Sequence, residues 1–198
     1  MRSFLVSLAA LAALAVPLQV HAAEHPVMAA TASLCISNHA DPDKVAAAAR
    51  AEGWQAPPPT LTVNPGETLL TRSVGDVLWM LSLRTQDNSR FGLPPSRVCT
   101  VSIGPGAGDI VASVQEFVGL EPVSNGEGGA ALWYFVLKSG RREALPDTKS
   151  FTVAEALSRG PVFSIFARGG DQLTQVQYSE MAPWPKPTKS RSPSTHKR

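Results

Sequence analysis

Downstream of its first two dozen residues the chain lacks any apolar run near the roughly 20 residues that a bilayer core requires, so no membrane-spanning helix is expected there. Cysteine is scarce. The two present, Cys35 and Cys99, exclude a multi-bridge scaffold, and no cluster of other Cys or His residues stands near them to complete a zinc site of three or four ligands. Histidine is equally sparse: after residue 23 only His25, His39 and His196 remain. There is no Gly-x-Ser-x-Gly elbow, no Ser-x-x-Lys pair and no His-Glu-x-x-His helix, which removes the motif-bearing hydrolases. Two weaker constellations stay open. His39 lies four residues after Cys35, a spacing that could share a metal, and His39 with a distant acid and Ser73 or Ser82 could form a triad, whose members need not be close in sequence.

What the first 23 residues contain is an export leader: Arg2 as the positive start, an apolar stretch from Phe4 to Val16, and small residues at Ala22 and Ala23 for cleavage. No Cys stands at that point, so no lipid anchor is suggested. The address is periplasmic or secreted, and thiols are oxidised in such compartments, so Cys35 and Cys99 are expected to form a structural disulfide. Residues 24–181 then read as a single domain able to bury a core, followed by a tail over 182–198.

Charge is divided unevenly between these parts. Residues 24–182 hold twelve basic and all sixteen acidic residues, whereas Lys186, Lys189, Arg191, Lys197 and Arg198 face no acid at all. Pro183, Trp184, Pro185, Lys186 and Pro187 favour an extended conformation, and the Ser/Thr and Lys/Arg residues beyond them are too polar to fold alone. That tail suits contact with an anionic surface through Trp184, Lys186, Lys189, Arg191, Lys197 and Arg198. The acidic body argues against nucleic acid as a partner.

Local patterns set the expected elements. Asp41 caps, Pro42 starts and Gly53 ends an alanine-rich helix, with a further helix over Ala29–Ser37 upstream. Pro57, Pro58 and Pro59 impose an extended linker. Val77–Leu83 is nearly all apolar, as in a strand buried on both faces. Arg97–Ile103 alternates, with Cys99, Val101 and Ile103 inward and Thr100 and Ser102 on the other side. Ile110, Val114, Phe117 and Val118 recur at helical spacing between Asp109 and Gly119. Leu132–Lys138 and Arg142–Leu145 form a hairpin around Ser139 and Gly140, Thr152 and Glu155 fit a capping box, and Val162–Ala167 with Leu173–Tyr178 form a second hairpin.

The order implies an α+β fold, an antiparallel sheet with helices on one face, either ferredoxin-like (split βαβ) or a meander, preceded by N-terminal helices. Gly104, Gly106 and Gly108 before a helix suggest a phosphate loop only superficially, because Asp109 places a carboxylate where the anion would sit and no Lys-Ser/Thr pair follows. Asp41, Asp43, Glu116 and Glu121 supply carboxylates for a glycosidase pair, but Asp41 is explained as a cap and Glu116 as part of a polar helix face. Trp79, Trp133, Tyr134 and Phe135 read as core before pocket, with Tyr134 on the opposite strand face from Trp133 and Phe135. No cofactor is implied. The reading is an exported, non-enzymatic protein that binds an unidentified protein or an anionic envelope component; a small secreted hydrolase and a structural envelope component are the alternatives.

Overall fold

The computed structural model describes residues 25–104, 109–126 and 128–183. The expected leader, Gly106 and Gly108, and the tail residues from Trp184 to Arg198 lie outside the described residues.

The first helix, α1 (Pro26–Ala30), starts on a proline that has no N–H to leave unpaired, and His25 Nδ1 accepts the Val27 N–H at 3.2 Å. It runs on as a wider π-type turn over Thr31–Ile36, which carries Leu34 and Cys35 into the core. His39 and Ala40 then take left-handed backbone angles (φ 54° and 46°), reversing the chain into α2 (Pro42–Ala51). Asp41 caps α2 by accepting the Lys44 N–H, and Val45, Ala46 and Ala49 form its buried face. This alanine face lets the helix approach closely. Trp54, just after Gly53, fills the space beside it and is only 2% exposed.

The strands are β1 (Glu67–Val74), β2 (Val77–Gln86), β3 (Ser96–Ile103), β4 (Ser124–Gly126), β5 (Ala130–Lys138), β6 (Arg141–Ala144), β7 (Val162–Arg168) and β8 (Thr174–Met181). They join in one antiparallel sheet of order β1-β2-β3-β8-β7-β5-β4, with β6 also paired to β5. The remaining helices are α3 (Ile110–Val118) and α4 (Ser150–Leu157). The α+β class and the antiparallel sheet are as expected, but the ferredoxin-like order is not formed. The β7–β8 hairpin inserts between β3 and β5, so these two strands, which precede and follow α3, are held apart by two others.

Register sorts the side chains into two faces, because residues opposite one another in neighbouring strands point the same way. Leu81, Val101, Val176, Ala167 and Ala131 lie in one row, and Leu83, Cys99, Tyr178, Ile165 and Trp133 in the next. This face packs beneath α1, α2 and α3 and holds the main core. The fourth helix, α4, joins a smaller cluster with Leu145, Val162 and Met181 at one end of the opposite face.

Two local expectations change. Val77–Leu83 is a strand, but Trp79, Leu81 and Leu83 are buried while Met80 and Ser82 between them are half-buried, because no helix covers their side of β2. The Thr152–Glu155 capping box is not used: α4 begins at Ser150 after Lys149, which makes no side-chain cap, and Glu155 pairs with Arg159 instead. The Lys149 N–H is taken by Asp147 at 2.9 Å, so the turn before the helix is already organised.

Candidate functional site

Two places collect polar side chains. On the helix-covered face, Glu180 of β8 is buried, its side chain 5% exposed, and accepts from His39 Nδ1 at 3.2 Å and from the Tyr178 hydroxyl at 3.3 Å. Burial pushes the Glu180 carboxyl above its ordinary range, the nearby His39 offsetting only part of that cost, and pushes Tyr178 further into its neutral form. Beside them Arg97 of β3 pairs with Asp41 at 3.1 Å. Cys35 and Cys99, both fully buried, are joined by a disulfide. The bridge and the two polar pairs tie the N-terminal helices to β3 and β8, which gives His39 a structural partner.

This cluster assembles neither of the constellations expected for His39. Ser73 and Ser82 point to the opposite face of the sheet, as the register of β1 and β2 requires, and Ser82 donates to Glu67. The proposed triad is therefore not assembled. Neither is the shared metal position, because Cys35 is in the bridge and His39 is held by Glu180. Among the described residues no group of three or more His, Cys, Asp or Glu is placed to hold a metal ion. Asp109 accepts the Ala112 N–H at 3.1 Å, so a carboxylate occupies the start of α3. The carboxylates of Asp41 and Glu121 are likewise engaged, the first with Arg97 and the second with Gln115.

The second place is the sheet face away from α1–α3. Polar side chains gather at its middle, with Val98 and Phe166 among them: Ser82, Thr100 and Gln177 share one row, Ser179 and Ser164 stand opposite each other in the next, and Ser102 and Gln175 make a third. Between this floor, α4's cluster and the segment after β2 lies a pocket of about 190 Å³, lined by Gln86, Asn88, Ser96, Tyr134, Ser164, Phe166, Gln177, Ser179 and apolar neighbours. Ser164 and Ser179 are 8% and 9% exposed and stand opposite each other across β7 and β8. One wall is well ordered: Asn88 donates to the Pro94 carbonyl at 3.0 Å and to Ser96 at 3.2 Å, while Gln86 donates to Asn88. Arg84 holds Gln177 from outside the pocket, at 3.4 Å from its amide oxygen.

Sequence reasoning placed Tyr134 opposite Trp133 and Phe135, and Thr100 and Ser102 opposite Cys99, but did not find this site. The signal available was the repetition of Ser, Thr and Gln at alternate positions of β3 and β8. Trp79, Trp133 and Phe135 are core, as expected. Trp184, Lys186, Lys189, Arg191, Lys197 and Arg198 fall outside the described residues. No helix among the described residues is long and apolar enough to cross a membrane. Comparison with protein-family models, curated proteins and solved structures gives no match.

Proposed function

We propose that the chain is an exported, non-enzymatic binding protein that uses the uncovered sheet face to hold a component of the cell envelope. The observation that carries this reading is the pair Ser164 and Ser179: both residues are largely enclosed, they face each other across β7 and β8, and both line the same pocket beside five other hydroxyl and carboxamide side chains. The leader and the disulfide support the exported setting. The basic residues beyond Pro183 add attraction for anionic envelope material at moderate salt.

The test is retention of fractionated envelope material on the immobilised full chain, compared with Tyr134→Ala and Phe166→Ala. Both variants should keep the circular dichroism of the parent and lose most of the retained material. Unchanged retention by both would remove the sheet face from the function. Turnover of an envelope substrate that His39→Ala abolishes would favour the hydrolase reading instead.

A further inference from the structure

The pocket on the open face also indicates the chemistry of what it holds. Resting on the binding reading above, we infer that it takes one residue of an uncharged saccharide, with the rest of the chain lying across the sheet over Thr100 and Ser102. Three features of the site lead there.

The lining carries no Asp, Glu, Lys, Arg or His. A charged ligand buried there would lose hydration without gaining a counter-charge, which is costly in a partly enclosed site. Arg84, which reaches the lining residue Gln177, is already bonded to its amide oxygen. An anionic or cationic occupant is therefore disfavoured.

Every polar group of the lining is a hydroxyl or a carboxamide: Ser96, Ser164, Ser179, Tyr134, Gln86, Asn88 and Gln177. Hydroxyls both donate and accept, and carboxamides present one of each, which complements a ligand whose own hydroxyls do the same. A peptide would instead need a line of backbone partners, which a sheet offers along an edge strand and not from its face. Ser164 and Ser179 supply the strongest indication, because the two residues are more than nine-tenths buried, stand opposite each other in the register and both line the pocket.

Tyr134 and Phe166, both half-buried, add ring surface to the same wall that carries these hydroxyls. A sugar ring has apolar C–H faces as well as polar edges, so it uses both kinds of lining. The pocket is smaller than the 300 Å³ and more of typical small-molecule sites, which fits one ring of a longer chain. The polar rows then continue through Thr100, Ser102 and Gln175 across β3 and β8.

The experiment is a titration of the full chain with chitotriose, maltotriose and a trigalacturonate, following the side-chain amide signals of Asn88 and Gln177 by NMR. A neutral trisaccharide should shift both signals saturably, and the trigalacturonate should bind at least tenfold more weakly. Ser164→Ala combined with Ser179→Ala should weaken the neutral trisaccharide at least tenfold while leaving the urea midpoint within error. No shift with either neutral sugar, or equal binding of the charged one, overturns the assignment. So does a large fall in the urea midpoint of the double variant, which would make the hydroxyls structural. If the sugars fail but Tyr134→Ala still loses envelope material, the binding face stands and only its ligand class is wrong.

Discussion

Replacing both Cys35 and Cys99 by alanine should lower the stability of the domain by about 4 kcal/mol. The bridge closes a loop of 64 residues, and the loop-closure entropy removed from the unfolded chain by a cross-link of that span is worth roughly 4 kcal/mol near room temperature. Native packing should change little, since both side chains are fully buried and the same helices stay tied to the sheet through Asp41–Arg97 and His39–Glu180. For a domain of this length the melting temperature should fall by about 8–16 °C. Urea unfolding of the parent and the double variant, followed by tryptophan fluorescence, measures the difference. The expected pattern is a lower midpoint with an unchanged native spectrum. A loss below about 1 kcal/mol would refute the unfolded-state argument. A variant whose native fluorescence is already that of the unfolded chain would show that the bridge builds the native contacts, because Trp54 sits beneath the helices it anchors.

Two further outcomes follow from side chains that the sequence left unremarked. Arg142 of β6 donates to the carbonyls of Phe117 and Val118 at the end of α3 and stacks 4.5 Å over the Phe117 ring, so Arg142→Met should cost about 1–3 kcal/mol in urea unfolding; a change under a few tenths would show that Gly119 alone ends the helix. Glu180 has its pKa raised from the usual 4.5, so it favours the folded state fully at low pH and progressively less as pH rises through the raised value. Glu180→Gln removes that dependence, and its stability relative to the parent should improve between pH 4 and pH 7; a gap that stays constant or narrows would contradict the burial argument.

The elements that were legible in the sequence are those fixed by local chemistry. Asp41, Pro42 and Gly53 bound α2, and Asp109 and Gly119 bound α3, because free amides and a left-handed turn make demands that a few residue types meet. Strand β3 was legible through its alternation, which also put Cys99 inward to meet Cys35. What was not legible depends on partners distant in sequence. Strand β1, with Thr68, Thr71, Arg72 and Ser73 among its residues, has little apolar pattern of its own. It is held by β2 and by Arg72, which sits 5.0 Å from the Trp54 ring and 5.7 Å from the Trp79 ring. The insertion of β7 and β8 between β3 and β5 likewise leaves no local trace, since adjacency in the sheet is decided by which hairpin completes the core. The face proposed for binding was hidden for the same reason: Ser164 and Ser179 are fifteen positions apart and become a pair only through the β7–β8 register.

On the binding function proposed above, the two faces of the sheet divide stability from recognition. Beneath α1–α3 the rows through Leu81 and Leu83 are apolar to the centre and are closed by a disulfide, an ion pair and a His–Glu contact. On the other side, the rows through Thr100 and Ser179 mix Thr100, Gln177, Ser179 and Ser164 with Val98 and Phe166 on the middle strands, and a continuous apolar cluster forms only at the end held by α4. A polar floor on the middle strands adds little to folding, because apolar burial is what drives it. Alanine substitutions at Leu81 or Ile165 should therefore act on unfolding, by about 2–5 kcal/mol each, whereas those at Ser164, Ser179 and Gln177 should act on binding with the midpoint nearly unmoved. Such a separation would tie the polar composition of this face to contact with another molecule, whereas a fall in the midpoint for the Ser164, Ser179 and Gln177 variants would tie it to the needs of the fold.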